Sequence, residues 1–228
     1  MTRNALDQRI DALLNELLVL ESMVKEAILN AVDSLTHRDL KLSREVYSND
    51  RWINERRWKI EESCIAEIAT QQPLASDLRV LASTLEVAGE LERMGDYAKG
   101  IARVNMMLGD RPLPPITDDL KRMAEQATRM LEASVKALVE RDAEAAQRIP
   151  DQDDEVDELF NEVYHNLVQG MIADPEMIDQ ANHLQWAAHN LERMADRVTN
   201  ICERAIFVAS GELIELDHSD DEWRQTPS

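Results

Sequence analysis

The chain has 228 residues, 31% of them charged and 44% hydrophobic, with only 4% aromatics and 6 glycines. Its formal net charge of −20, from 25 basic and 45 acidic residues, repels a phosphate backbone. No segment carries a basic stripe, which argues against nucleic-acid binding. Leu, Ala, Glu and Arg dominate, a composition of long helices rather than strands. No apolar run approaches about 18 residues and the N-terminus has no signal-peptide h-region, so a cytoplasmic protein is expected. The two cysteines, Cys64 and Cys202, fall inside helical patterns and are expected to be buried free thiols.

In chain order, residues 5–36 predict a first helix. Leu6, Ile10, Leu13, Leu17, Leu20, Val24, Ala27 and Ala31 alternate spacings of four and three, a heptad seam. Leu14, Ile28, Val32 and Leu35 widen that stripe enough to meet two neighbours in a bundle. Residues 39–70 predict a second helix with Leu42, Val46, Ile53, Ile60, Ile65 and Ile68 on its apolar side and Trp52 and Trp58 adding bulk. Pro73 closes it, because the residue before proline avoids the α region. A third helix, capped by Ser76 or a residue upstream, reaches about Leu108 with Leu78, Leu81, Leu85, Leu91, Met94 and Ile101 as its apolar residues.

Residues 109–117 hold Pro112, Pro114 and Pro115 and cannot continue a helix. They divide the chain into a bundle over 1–110, a linker over 111–117, a second bundle over 118–211 and an acidic, partly disordered tail over 212–228. A fourth helix follows from Asp118 to about Val139. The fifth starts near residue 142, meets Pro150 as either a kink or a fresh start, and continues through Met171. The sixth opens at Asp174-Pro175 and ends near Ser210, with Gly211 as its C-cap. The fold expected is all-α: two tandem three-helix bundles built from six long antiparallel helices.

The two halves repeat one segment. Leu91-Glu92-Arg93-Met94-Gly95-Asp96 recurs as Leu191-Glu192-Arg193-Met194-Ala195-Asp196, and at helical spacing each Glu and Asp share a face. Like charges at that spacing destabilise a helix by roughly 0.2–0.5 kcal/mol unless something offsets them. Asp50 and Asn54 in the second helix match Asp153 and Asp157 in the fifth, with Ile53 matching Val156 between them. If these helices pack antiparallel to their neighbours, Asp50, Asn54, Glu92 and Asp96 converge in one site and Asp153, Asp157, Glu192 and Asp196 in another. Oxygen-only donors suit magnesium, manganese or iron, with zinc a further candidate. The second set, with four carboxylates, is expected to bind more tightly. A ferritin-like oxidase needs Glu-x-x-His from two core helices; Glu162/His165 and Glu215/His218 have that spacing, but the second pair lies in the tail. His37, His183 and His189 have no ligand-like spacing and are expected at the surface or core edge. No phosphate loop, Ser/His/Asp set or cysteine cluster is present.

Four stretches carry a family resemblance: Gln72-Pro73-Leu74-Ala75-Ser76-Asp77-Leu78-Arg79, residues 91–96, Asp153 to Asp157, and residues 191–196 with Asn200-Ile201-Cys202-Glu203. Together they resemble the PhoU family, regulators of bacterial phosphate-transport systems, over about residues 5–211. The resemblance implies two three-helix bundles, often dimeric, and metal ions at paired acidic motifs. It also implies a non-enzymatic negative regulator that couples the ATPase and membrane subunits of a phosphate ABC transporter to a sensor histidine kinase, reaching the membrane through these partners. Ala195 stands where the family usually has Gly, and Met94 and Met194 where Ile is common. The alternative is a carboxylate-metal enzyme or a metal-storage bundle.

Overall fold

The computed structural model describes residues 3–108 and 112–216. Seven α-helices follow in order: α1 Arg3–Thr36, α2 Leu40–Gln71, α3 Ala75–Met107, α4 Thr117–Glu140, α5 Ala143–Arg148, α6 Asp153–Ala173 and α7 Ile178–Ser210. Among the described residues there is no strand. α5 and α6 are the expected fifth helix in two pieces, joined by a 3₁₀ turn at Pro150–Gln152. Proline lacks the N–H that an uninterrupted helix needs, so a fresh helix begins at Asp153. Gln126 Nε2 donates to the Gln152 carbonyl at 3.3 Å and ties the break to α4.

α1, α2 and α3 pack on one another, as do α4, α6 and α7. The short turns force antiparallel neighbours: Arg9 near the start of α1 pairs with Glu67 near the end of α2 at 2.7 Å. Asp39 and Asp142 cap the N-termini of α2 and α5, each preceded by an arginine with positive φ, Arg38 at 58° and Arg141 at 56°. The turn is therefore built the same way twice. Buried positions give the register of the duplication. Leu17, Leu20, Ala31 and Leu35 on α1 correspond to Leu120, Met123, Ser134 and Leu138 on α4, all sealed from solvent.

The halves do not stand apart. α3 packs along α7 and α1 along α4, and a continuous apolar core runs through both halves. Gly100 lets the Trp186 ring lie close on α3; a Cβ there would meet the ring at 2.8 Å. Glu90 of α3 accepts from Asn200 of α7 at 3.3 Å, and Arg204 of α7 pairs with Glu86 at 2.7 Å.

One end of the first half is closed by buried polar side chains. Ser43 Oγ donates to Ser34 Oγ at 2.9 Å, and Asn105 Nδ2 donates to Ser43 Oγ and to the Ser34 carbonyl, both at 2.8 Å. The Arg38 guanidinium donates to Asn105 Oδ1 and, at 3.0 Å, to the Leu108 carbonyl. In the register above, the second half has Ala137, Ala146 and Ala205 at these places, all buried.

Several expectations need correction. Ile65 and Trp58 are exposed, at 59% and 56%, and Trp52 and Leu78 are also exposed. α2 is an outer helix touching only α1 and α3, so its buried stripe narrows to Ser43, Val46, Asp50, Ile53, Ile60 and Cys64. Ile65 lies a turn-fraction of about 100° past Cys64 and faces out. Ser76 does not cap α3: Leu74 holds the cap position without a side-chain bond, and Ser76 Oγ lies against Asp77 at 3.4 Å. The tail is ordered in its first residues, because Leu216 N donates to Glu203 Oε1 at 3.0 Å and Ile214 and Leu216 pack on the core; the rest of that expectation, residue 111 of the linker and the two residues before it lie outside the described residues. Gly211 caps α7 with φ 84°. Both cysteines are free and buried, and burial pushes each thiol up to about 12.

Candidate metal centre

Each half brings acids from two helices to one place, but the surroundings differ. In the second half, Asp153 and Asp157 sit on the first turns of α6, and Glu192 and Asp196 share a face of α7. Burial, and then the neighbouring carboxylates of Asp157, Asp196 and Glu192, push the Asp153 carboxyl up to about 7. Burial and Asp196 raise Asp157; burial and Asp196 raise Glu192 as well. Mutual repulsion of this kind places all four acids within one electrostatic neighbourhood. Asp153 Oδ1 and Glu192 Oε2 are buried without a hydrogen-bond donor. His189 Nδ1 lies 3.0 Å from Glu192 Oε2, and the imidazole acts against the rise of that carboxyl. The histidine ring also leans on Phe160, at 6.1 Å between centroids.

In the first half, the buried Asp50, 5% exposed, already has cationic and amide partners. Lys99 Nζ donates to Asp50 Oδ2 at 2.7 Å and stands 3.8 Å from Asp96 Oδ1. Its hydrogen bond to Asp50 raises the ammonium above its ordinary range. Asn54 Nδ2 donates to Asp50 Oδ2 at 3.2 Å and to the Asp50 carbonyl at 3.1 Å, turning its N–H₂ toward the acid. Glu92 is raised by burial and then by Asp96, against which Arg57 acts to lower it; Asp96 is raised by burial and by Asp50. Arg57 pairs with Glu61 at 2.8 Å. Asp50 Oδ1 has no donor.

The packing beneath the two sites is exchanged in a compensating way. A Cβ added at Gly95 would meet Ile53 Cδ1 at 3.1 Å and Cγ2 at 3.2 Å. The second half has the methyl group, as Ala195, opposite the shorter Val156.

All eight residues expected from sequence therefore lie in two two-helix neighbourhoods, four in each. Among the described residues, no three or more His, Cys, Asp or Glu side chains are assembled as a ready ligand cluster. The donor chemistry of the second neighbourhood fits a hard cation: four oxygen acids, with Asp153 Oδ1 buried and without a hydrogen-bond donor. The first fits poorly, since a lysine holds its most buried carboxylate. Lys99, Arg57 and His189 are participants that sequence reasoning missed. Lys99 and His189 were detectable as charges three residues from Asp96 and Glu192, whereas the approach of Lys99 to Asp50 comes from tertiary packing. Of the oxidase spacings, Glu162 and His165 line an open depression on α6 with Asn161 and Asn166, and Glu215 is exposed on the tail, while His218 lies outside the described residues.

Fold and sites together define a duplicated helical-bundle protein with an acidic constellation in each half. The chain belongs to the PhoU domain family, whose model matches twice, at residues 17–104 and 120–205. It is 30% identical over 218 residues to a phosphate-specific transport system accessory protein PhoU homologue of Clostridium acetobutylicum, covering 95% of this chain and 100% of that one. The corresponding homologue of Deinococcus radiodurans is 34% identical, over 92% of this chain and 98% of its own. The crystal structure of the phosphate transport system regulatory protein PhoU from Streptococcus pneumoniae superposes with a TM-score of 0.85 at 29% identity, covering 92% of this chain and 100% of that one. PhoU from Pseudomonas aeruginosa gives 0.84 at 29%, covering 90% and 99%.

Proposed function

We propose that this chain is a regulatory accessory protein of phosphate uptake. In this reading it is a non-enzymatic helical adaptor that represses phosphate-starvation signalling by linking a phosphate ABC transporter to a sensor histidine kinase. The observation that carries the proposal is the near full-length similarity to proteins named as accessory to phosphate-specific transport. None of the helices among the described residues is long and apolar enough to cross a membrane, so the chain meets the transporter peripherally, on its cytoplasmic side. It works as a homodimer.

The second site supplies the metal-dependent part of this role. Asp153, Asp157, Glu192 and Asp196 hold a divalent or trivalent cation, magnesium, manganese, iron or zinc. A bound cation would neutralise the repulsion among them and give the buried Asp153 Oδ1 a partner. That hard positive charge offers a place for phosphate or for an acidic partner surface. Affinity capture with the full chain as bait tests the adaptor role: the kinase and the transporter ATPase subunit are both retained, and starvation genes are derepressed when the chain is deleted. Failure to retain either, with unchanged expression on deletion, overturns it. For the metal, Mn²⁺ titration by calorimetry shows binding that Asp153→Asn abolishes; equal binding by the two proteins defeats this site.

A further inference from the structure

We infer that Lys99 is the resident cation of the first acidic site, so that the first half does not take up an added divalent cation. The inference goes beyond the metal-site reading above, which concerns the second half, and stands or falls separately from it. Lys99 Nζ occupies the side of Asp50 Oδ2 that a metal would need, at 2.7 Å, and reaches Asp96 Oδ1 at 3.8 Å. One ammonium thus bridges α2 and α3 between the two carboxylates that would otherwise share an ion. The contact is held: Asp50 is 95% buried, being 5% exposed, the lysine is 31% exposed along its side chain, and the ammonium lies 5.5 Å from the centre of the Tyr47 ring.

Two further features close the same site. Asn54 presents its amide N–H₂, a donor with no lone pair to give, to the Asp50 carboxylate at 3.2 Å. Arg57 adds a second positive charge that acts on Glu92. The formal count is three acids, Asp50, Glu92 and Asp96, against two cations, Lys99 and Arg57. In the register of the duplication the second half replaces each closing residue: Thr199 for Lys99, Asp157 for Asn54 and Phe160 for Arg57. Four acids there face no lysine or arginine at equivalent positions. A divalent ion entering the first site must displace an ammonium from a buried carboxylate or sit beside it, and like charges at a few ångströms in a partly buried setting repel strongly. The duplicated motif has therefore diverged, and the substitution that separates the two copies most directly is Lys99 against Thr199.

The test is Mn²⁺ titration of the purified full chain by calorimetry, with electron paramagnetic resonance counting bound ion. Asp50→Asn leaves metal binding of the wild-type chain unchanged. Lys99→Met, which keeps the length of the side chain and removes its charge, adds a second class of Mn²⁺ site, and Asp50→Asn in the Lys99→Met chain removes the gain. Lys99→Arg, which restores a cation, binds as wild type does. Circular dichroism confirms the helical fold of each variant, and a Lys99→Thr chain serves if Lys99→Met does not fold. Loss of Mn²⁺ in Asp50→Asn alone, or no gain on removing the lysine charge, overturns the inference. A wild-type chain that binds no Mn²⁺ while Lys99→Met binds at Asp50 would uphold it and defeat the metal reading of the second half instead.

Discussion

The two halves share a backbone plan and differ in how they satisfy buried polarity. In the first half, Ser34, Ser43 and Asn105 tie three helices together at one end, and Lys99 neutralises Asp50 in the acidic neighbourhood. In the second, three alanines fill the corresponding end, and the acids raise one another, with His189 Nδ1 3.0 Å from Glu192 Oε2. The first half thus carries a polar tie at its end and a lysine at its acidic site, whereas the second half is apolar at its end and gathers a fourth acid at its site. A carboxylate held by a lysine of its own chain is suited to holding shape. Carboxylates gathered against one another are suited to binding something positive.

Core truncation gives the largest expected effect and asks whether the halves are separable at all. Leu91 and Leu191 are both fully buried on the helices of the shared seam. Leu91→Ala and Leu191→Ala should each cost about 2–5 kcal/mol in denaturant unfolding. Hydrogen exchange should show both halves losing protection in either variant; loss confined to the mutated half would mean that the seam does not couple them. Next comes the polar end. Asn105→Ala should cost about 1–3 kcal/mol, because it leaves buried partners without their bonds. Ser34→Ala and Ser43→Ala combined with it should cost less than the sum of the single changes, a non-additivity that a mutant cycle measures.

The acid clusters separate the halves by pH. Asp153 rises from an ordinary value of 3.8 to about 7 in the folded protein, so between these pH values the folded state holds a proton that the unfolded state has released. Metal-free protein should therefore lose stability as pH climbs from about 4 to about 7. Asp153→Asn should flatten that slope; a thermal-unfolding series in which both proteins show the same slope would dispose of the assignment. The exchanged methyl group is a smaller test. Gly95→Ala presses on Ile53 at 3.1 Å, and overpacking of about 1–3 kcal/mol is set against a helix-propensity gain of about 1 kcal/mol. Ile53→Val should relieve it, so the double variant, which copies the second half, should be more stable than Gly95→Ala alone. Smallest of all, Arg204→Ala at the surface pair with Glu86 should shift stability by about 0.2–1 kcal/mol.

Much of this architecture was legible in the sequence because it is periodic. The heptad seam of α1, the proline-rich division and the recurrence of Glu92 and Asp96 as Glu192 and Asp196 are local patterns, and local patterns survive without knowing the neighbours. Exposure of Ile65 was not legible, since it depends on α2 having only two neighbours. The Leu216 anchor on Glu203 was hidden by an acidic tail with no periodicity. At the sites, spacing grouped the eight candidate residues into two neighbourhoods, yet it could not assign Lys99 to Asp50: those residues are far apart in sequence and meet only because α2 and α3 run antiparallel. Charge inventory by helix face finds acids; tertiary pairing decides which remain available.

The break at Pro150 has a bearing on the second site that reaches past geometry. Asp50 lies in the middle of α2, where every backbone N–H is engaged in the helix, so its charge can be met only by a side chain. Asp153 opens α6, and although its own N–H is taken by the Pro150 carbonyl, the first turn of a helix carries a partial positive charge of up to about half a unit. Such a fractional charge takes up no room in the cleft. It acts to lower the cost of gathering acids there without filling the space between them, while burial and the neighbouring carboxylates push the Asp153 carboxyl up. A proline thus lets the backbone do part of what an ammonium does elsewhere in the chain, and leaves the doorway open.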